Sequence, residues 1–183
     1  MTKPNLDHPT LPVLKQHFAD VKFLATEFRS QTTVVVPPDS LHEVMKFLRE
    51  NPHCDYNFLS DVAGVDYLNY PGALARFAVV YLMRSHQHDR SLFVKALLNP
   101  TIDTSGIDPD PALELPSITD IWPGAEWPER EVYDMFGIRF AGHPDLRRIL
   151  TWEEYPAFAL RKDYPLRGRG ERVAFEVVDR DSA

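Results

Sequence analysis

The chain has 183 residues, of which 44% are hydrophobic and 11% aromatic, which is enough apolar material to build the core of one domain. Its formal net charge of −7 argues against a general nucleic-acid binder, because such proteins need a basic surface. A single cysteine, Cys54, excludes an intrachain disulfide and any cluster site built from the cysteines of this chain alone.

The first part of the chain alternates predicted helices and strands. Apolar residues at helical spacing predict a short helix over 11–19. Two strands are then expected to pair, over 22–28 and 32–37, and the second carries a run of β-branched residues. A second amphipathic helix is predicted over 41–50, since Asn51-Pro52 follows it and proline does not continue a helix.

Three further strands are predicted over 57–67, 75–84 and 91–98, the last two joined by a polar turn. Two strands, a helix and a three-stranded meander predict an α+β fold, with a mixed or antiparallel sheet and helices packed on one face. The longest clean apolar stretch, 77–83, is far shorter than the ~20 residues of a membrane-spanning helix. Any membrane association is therefore expected to depend on partners.

A proline-rich loop with little regular structure is predicted over 99–116, and a helix after it. Trp127-Pro128 marks the start of this helix, with acidic residues in its first turn, and Gly137 is a natural left-handed C-cap. Arg130 and Asp134 lie four residues apart and are expected to form an ion pair across one turn.

The predicted organisation has three parts. Residues 1–116 form an α/β domain, residues 117–142 hold the helix and turn just described, and residues 143–183 form an extended tail that binds a partner. The stretch 139–172 carries eight basic and five acidic residues, a net charge of +3 on an otherwise acidic chain. Such a stretch favours docking to an acidic partner, with a solvated charged tail as the alternative.

Several short motifs could supply chemical sites. His86 and His88, with Asp89, have the spacing of metal ligands on a strand, but a solvated hairpin turn is favoured. His53-Cys54-Asp55 could supply a thiol nucleophile, although a local triplet specifies no spatial arrangement. His143-Pro144-Asp145 also marks the J-domain co-chaperones, whose two long flanking helices this sequence lacks.

The acidic helix is the best enzymatic alternative. Glu129, Glu131 and Asp134 could supply general acid and base groups, with Arg147 and Arg148 binding an anion. No nucleophile, metal set or glycine-rich phosphate loop completes such a site. A small soluble enzyme or binding module that uses this helix stays as a second hypothesis.

Three blocks of this sequence together resemble one family. The run Glu129-Arg130-Glu131-Val132-Tyr133-Asp134-Met135-Phe136-Gly137-Ile138 is followed by Gly142-His143-Pro144-Asp145-Leu146-Arg147-Arg148-Ile149-Leu150 and by Leu160-Arg161-Lys162-Asp163-Tyr164-Pro165-Leu166. In this order they are similar to the signature of the 30-kilodalton subunit of the proton-pumping NADH:quinone oxidoreductase, respiratory complex I. One departure is Ala157-Phe158-Ala159, where the family usually has Gly-His-Pro, so an apolar contact through Phe158 is expected to replace a histidine contact.

The resemblance implies a cofactor-free structural and assembly subunit of the hydrophilic arm, non-catalytic when isolated. FMN, the iron–sulfur clusters and quinone would be held by partner subunits of a complex that couples electron transfer from NADH to quinone with proton translocation. The implied partners are the large hydrogenase-like subunit of the quinone module and the neighbouring iron–sulfur subunits. The implied location is peripheral, on the cytoplasmic side of a bacterial inner membrane. The equivalent subunit of a related membrane-bound hydrogenase-type complex is the alternative.

No catalytic, cofactor-binding or metal-binding residue is implied for this chain. The resemblance instead implies a partner interface, and its expected residues are Glu129, Arg130, Glu131, Asp134, His143, Asp145, Arg147, Arg148, Arg161, Lys162 and Asp163.

Overall fold

The structure is a computed structural model that describes residues 6–171. In chain order its elements are α1 (Thr10–His17), β1 (Leu24–Phe28), β2 (Gln31–Val36), α2 (Leu41–Glu50), β3 (Phe58–Asp66), β4 (Phe77–Ser85), β5 (Arg90–Leu98), β6 (Glu114–Pro116), α3 (Glu126–Phe136) and β7 (Arg139–Ala141). Single-turn 3-10 helices at Pro38–Ser40, Pro111–Leu113 and Pro123–Ala125 precede α2, β6 and α3.

Five strands form one mixed sheet in the order β1-β2-β5-β4-β3. The β1–β2 hairpin and the β3-β4-β5 meander are antiparallel, whereas β2 and β5 run parallel where the two units meet. Helix α2 lies in the crossover between β2 and the meander, since a parallel connection needs a long return path. The predicted α+β class and both predicted antiparallel pairings are confirmed.

One face of the sheet holds the core. Strand residues alternate between buried and half-exposed, as the two-residue period of a strand requires. The buried side of the sheet and the buried side chains of all three helices belong to a single apolar cluster, which includes Val34, Val94, Tyr81, Leu14, Leu48 and Phe136. The helices therefore pack on one face of the sheet, as predicted.

The loop over 99–116 is more regular than its composition predicts. Its last three residues form β6, which pairs in parallel with β7 in a separate two-stranded sheet. Leu115 of β6 is buried and belongs to the core. This pairing joins segments about 25 residues apart, so no local pattern in the proline-rich loop could reveal it.

Helix α3 ends as predicted and thereby directs the chain into β7. Gly137 adopts the left-handed conformation with φ 73°, and its N–H donates to the carbonyl oxygen of Tyr133 at 2.8 Å. The preceding ring of Phe136 lies directly on Gly64 of β3, where a Cβ atom would come within 2.4 Å of it. The glycine in β3 therefore lets α3 approach the sheet closely.

Residues 143–171 follow an irregular course without a further α-helix or strand in that range. Hydrogen bonds to α3 come from its first part, between His143 and Arg161. Tyr155, Ala157 and Phe158 are buried, and the N–H of Leu160 donates to the carbonyl oxygen of Met135 at 3.1 Å. We call residues 143–164 the strap. The remainder of the predicted tail, 172–183, lies outside the described residues.

A search of residues 6–171 for a helix long and apolar enough to cross a membrane finds none.

Gly137→Ala is expected to lower the free energy of unfolding by about 2 kcal/mol or more, because alanine disfavours a positive φ and its methyl group would overlap the strap. A Cβ atom at this position would lie 2.5 Å from both Arg161 Nη2 and the Phe158 ring. Urea unfolding measures the change. Gly124→Ala is the matched control, since its methyl group would meet no atom within 4 Å; equal stability of the two variants would contradict the proposed cap.

Candidate functional site

Helix α3 turns two carboxylates of the signature into the protein interior. Glu129 and Asp134 are both 0% exposed. Burying a carboxylate is costly unless hydrogen bonds compensate, so their partners show what the site does. The two side chains are satisfied in different ways and by different segments of the chain.

Glu129 binds the segment that follows β6. Its carboxylate accepts hydrogen bonds from Ser117 Oγ at 2.7 Å and from the backbone N–H of Ile118 at 2.9 Å. Burial nevertheless dominates and raises the pKa of Glu129 to about 7. Tyr81 is also buried, and its burial together with the nearby Glu129 raises the pKa of its hydroxyl. This hydroxyl has no hydrogen-bond partner among residues 6–171.

Asp134 binds the beginning of the strap. Its Oδ2 accepts hydrogen bonds from three consecutive backbone N–H groups, those of Ile149 at 3.0 Å, Leu150 at 2.7 Å and Thr151 at 2.8 Å. Its Oδ1 accepts from Arg148 Nη1 at 2.8 Å and from the Thr151 hydroxyl. Burial alone would raise the pKa of Asp134, but the bonds from Thr151 and Arg148 outweigh it, so the pKa lies below its usual value.

Arg148 extends this bonding along the strap. Its guanidinium also donates to the carbonyl oxygens of Asp134 at 3.2 Å and of Tyr155 at 2.8 Å. It lies 5.0 Å from the centre of the Phe158 ring. Arg148 therefore joins its own end of the strap to α3 and to residues 155 and 158, and these contacts determine how the strap bends.

The predicted ion pair between Arg130 and Asp134 is wrong. Arg130 Nε and Nη2 donate instead to the carbonyl oxygens of Arg147 and Arg148, each at 3.1 Å. Its guanidinium stacks 5.1 Å from the ring of Trp127. The pair fails because Asp134 faces inward and its acceptor sites are already filled by amides of the strap, so Arg130 is left to bind main-chain oxygens.

His143 joins the start of the strap to the first turn of α3 through both of its ring nitrogens. Its Nδ1 accepts the backbone N–H of Asp145 at 3.0 Å, so its Nε2 carries a proton and donates to the carbonyl oxygen of Glu126 at 3.0 Å. The same Nε2 lies 4.0 Å from a carboxylate oxygen of Glu129.

Arg161 fastens the far end of the strap. Its Nε donates to the carbonyl oxygen of Phe136 at 2.7 Å and its Nη1 to that of Thr104 at 2.9 Å. Burial lowers the pKa of Arg161 to about 10. The Phe158 ring lies 4.4 Å from this guanidinium and also contacts Arg148. The phenylalanine that departs from the family pattern thus fills the space between the two arginines.

The neighbouring Asp163 completes the fastening. It accepts hydrogen bonds from Arg76 Nη2 at 2.7 Å and from the Thr104 hydroxyl at 2.5 Å. Arg76 also contacts Asp66, which accepts two further hydrogen bonds, from the backbone N–H groups of Lys162 and Leu68, each at 2.8 Å. Burial alone would raise the pKa of Asp163, but the hydrogen bonds from Thr104 and Arg76 outweigh this effect, so the pKa lies below its usual value.

The eleven residues expected at a partner interface therefore fall into two groups. Seven bind within the chain as described above, and four stay accessible: Glu131, Asp145, Arg147 and Lys162. The Arg147 side chain is 72% exposed, and among the described residues its guanidinium pairs only with Asp145, at 2.9 Å. The expected interface residues did not include Trp127, which is 59% exposed, or the exposed Leu150 and Leu160, which are also accessible on α3 and the strap. An apolar residue beside the signature arginines was the available signal.

The other chemical motifs do not form sites in the described part of the chain. His88 Nε2 contacts the carbonyl oxygen of Pro52 at 2.9 Å, and His86 packs against Phe58. No group of three or more metal-ligating side chains occurs within 6–171. Cys54 is buried, and burial raises the pKa of its thiol, which disfavours the nucleophilic thiolate.

The fold and this network define a class of protein, a small α+β chain whose charged signature fastens a C-terminal strap to its own core. The model of the family described as respiratory-chain NADH dehydrogenase, 30 Kd subunit, matches residues 34–170. The chain belongs to that family, as the sequence resemblance predicted.

Individual relatives agree. The chain is 45% identical to a C-type subunit of the NADH-quinone oxidoreductase of Rhizobium etli (strain CIAT 652) over 75% of this chain, and it spans 66% of that relative's length. It is 41% identical to the C-type subunit of the NADH-quinone oxidoreductase of Roseiflexus castenholzii over 93% of this chain and 90% of the relative.

Solved structures show the same fold. A trypsin-resistant fragment of Nqo5, residues 1–134, aligns with a TM-score of 0.57 and 33% identity over 76% of this chain and all of the fragment. A chain of the archaeal membrane-bound sulfane sulfur reductase aligns with a TM-score of 0.64 over 94% of this chain and 95% of that one. At 20% identity, the second match shows the fold alone.

The raised pKa of Glu129 predicts a pH-dependent stability. The folded chain keeps this proton up to about pH 7, whereas the unfolded chain releases it near 4.5. The free energy of unfolding should therefore fall as pH rises through that window, by at most about 1.4 kcal/mol per pH unit, and level off above it. Glu129→Gln should remove this component, as measured by urea unfolding between about pH 4.5 and 8.

Glu131→Gln is the matched control, because Glu131 is the exposed acid two residues further along the same helix. It should leave the pH profile of the natural chain unchanged. A Glu129→Gln profile that runs parallel to the natural one would show that Glu129 is ionised throughout the window.

Proposed function

We propose that this chain is the 30-kilodalton subunit of a respiratory NADH:quinone oxidoreductase, a cofactor-free structural and assembly subunit of its hydrophilic arm. The observation that carries the proposal is the family match over 34–170, which contains the entire buried network and the strap. The complex would transfer electrons from NADH to quinone and couple this to proton translocation. FMN, the iron–sulfur clusters and quinone would be held by partner subunits.

The geometry of the signature supports a structural role over catalysis by this chain. A general acid or base must reach its substrate, yet Glu129 and Asp134 are fully buried and bind segments of their own chain. Arg130, Arg148 and Arg161 each direct N–H donors to main-chain carbonyl oxygens of their own chain, which leaves fewer donors for an anionic substrate. These features disfavour the soluble-enzyme hypothesis.

The buried network leaves a defined surface for a partner. We call it the strap surface, and its members are Trp127, Glu131, Asp145, Arg147, Leu150, Leu160 and Lys162. Tryptophan and arginine supply most of the binding energy at protein interfaces, and an exposed arginine can form a bidentate contact with a carboxylate. The large hydrogenase-like subunit and neighbouring iron–sulfur subunits are the proposed partners, so the buried signature residues act there by positioning this surface.

The same proposal covers organisation and location. Residues 1–116 would form the α/β domain, 117–142 the connecting helix and turn, and 143–183 the partner-binding tail. The assembly would hold the chain at the cytoplasmic face of a bacterial inner membrane as a peripheral subunit. The alternative is the equivalent subunit of a related membrane-bound complex with another electron donor. Co-purification of an NADH-oxidising module with the tagged chain would decide between them.

Arg147→Glu should weaken partner binding, whereas Arg148→Glu should lower the stability of the isolated chain. Reversing Arg147 should reduce the other subunits recovered with a tagged chain roughly tenfold, because it places an acid against an acidic partner, while the melting temperature of the isolated chain stays unchanged. Arg148→Glu should instead destabilise the isolated chain by about 3 kcal/mol or more, because it opposes the buried Asp134. Quantitative mass spectrometry of the purified complex and thermal unfolding measure the two effects.

Lys46→Glu provides the charge-matched control, since Lys46 is exposed on α2 and lines a cleft with Asp55 and Asp120, which do not belong to the strap surface. It should alter neither measurement. Full recovery of partner subunits with Arg147→Glu would contradict the strap surface as an interface.

A further inference from the structure

The sheet face opposite the helices is unusually apolar. We call it the open face. Its larger apolar residues alternate along the strands with the core residues: Leu24, Phe28, Val35, Phe58, Val65, Val80, Leu82, Phe93 and Leu97. The same face also carries the polar residues Thr26, Gln31, Thr33, Arg84, Ser91 and Lys95. A sheet that faces water on one side normally alternates apolar and polar residues, with the polar ones outward. Here both sides of the alternation are mostly apolar, which is the pattern of a sheet covered on both faces.

Exposure at the rim of this face is large. Leu24 is 54% exposed, Phe28 70% and Phe58 47%. Single exposed apolar residues are common in proteins, but a contiguous apolar patch on a monomer marks an interaction site. All three helices contribute to the core on the opposite side, so none of them covers this patch.

Lys95 gives the open face a specific charge. It lies in the middle strand β5, in register with Val35 of β2 and Val80 of β4. Its Nζ donates to the Tyr67 hydroxyl at 3.1 Å and lies 5.5 Å from the Tyr67 ring, and no carboxylate within residues 6–171 pairs with it. Among the residues that the structure describes, this half-buried ammonium between two valines therefore has no counter-ion.

A groove runs beside this ammonium. It encloses about 270 Å³ and lies between the loop after β3, with Tyr67, Tyr70 and Leu74, and the strand residues Val35 and Leu97. Tyr70 and Leu74 are themselves exposed, so the walls of the groove are apolar and aromatic. An apolar side chain of a partner could enter the groove while a neighbouring acid reaches Lys95.

We infer that the open face is a second docking surface, covered in the assembled complex by an apolar segment of another subunit whose aspartate or glutamate pairs with Lys95. Charge complementarity selects this occupant, because burying Lys95 without a carboxylate would leave a desolvated charge. A second copy of the chain fits less well, since face-to-face packing would bring two Lys95 ammonium groups together near the centre. The inference rests on the proposed function, because it requires the assembled complex.

Chemical labelling of the intact complex tests this directly. An amine-acylating reagent should modify Lys95 in the isolated full chain but at least about tenfold less in the complex, where a buried ion pair shields it. Lys46, on the helical side, should react equally in both. A zero-length carbodiimide reagent should then link Lys95 to an aspartate or glutamate of a different subunit, identified by mass spectrometry.

Variants give an independent measurement. Lys95→Glu should reduce recovery of the chain in the complex by roughly tenfold or more, whereas Lys95→Arg should retain it, because only the first reverses the charge. Lys46→Glu should have no effect. Lys95 makes no ion pair within residues 6–171, but its contacts with Tyr67 are lost in Lys95→Glu, so the melting temperature of the isolated variant should fall by no more than a few degrees and the variant should stay folded.

Equal acylation of Lys95 in the free chain and in the complex, or a crosslink to a second copy of this chain, would overturn the inference. If the chain enters the complex but Lys95 stays reactive, the inference fails and the proposed function stands. If the chain recovers no NADH-oxidising or quinone-module subunit at all, both fail.

Discussion

The carboxylate of Asp134 determines the course of everything that follows α3. An unpaired carboxylate at 0% exposure would cost several kcal/mol, and three consecutive amides with one guanidinium remove that penalty. Because these amides belong to residues 149–151, satisfying Asp134 forces the chain to double back along the helix. Arg148 is thereby placed where it can bind Tyr155, and Phe158 can fill the space beside it. The position of the strap is thus determined by hydrogen bonds that it makes with α3.

This arrangement explains why a charged signature belongs to a chain with a structural role. Most of its ionic groups bind internal main-chain partners, which hold a segment without helix or strand in one shape. The groups left over lie on the outer side of that segment. If the proposed strap surface is the interface, its geometry depends on the buried carboxylates, and changes at Glu129 or Asp134 would then affect assembly without direct contact.

Local patterns in the sequence were sufficient for most of the fold. The alternation in β2 and β5, the helix ending at Gly137 and the two antiparallel pairings could be predicted, because each depends on neighbours along the chain or on one short turn. The parallel pairing of β6 with β7, the bonds of Arg130 and the contact of Asp163 with Arg76 could not. Each joins segments 17 to 87 residues apart, and many side chains were equally suitable partners before the chain was folded. For the site, residue identity was predictable, but which members face inward was not.

The parallel junction of β2 with β5 also determines the order in which the sheet can form. The β1–β2 hairpin and the β3-β4-β5 meander are each local, but their union must close a loop that contains α2 and two whole strands. Closing such a loop is slow, because its entropy is lost before the pairing contributes. During synthesis the hairpin is made first and must wait with an unpaired edge on β2 until β5 leaves the ribosome. Unpaired strand edges promote aggregation, so the growing chain is exposed to it during that interval.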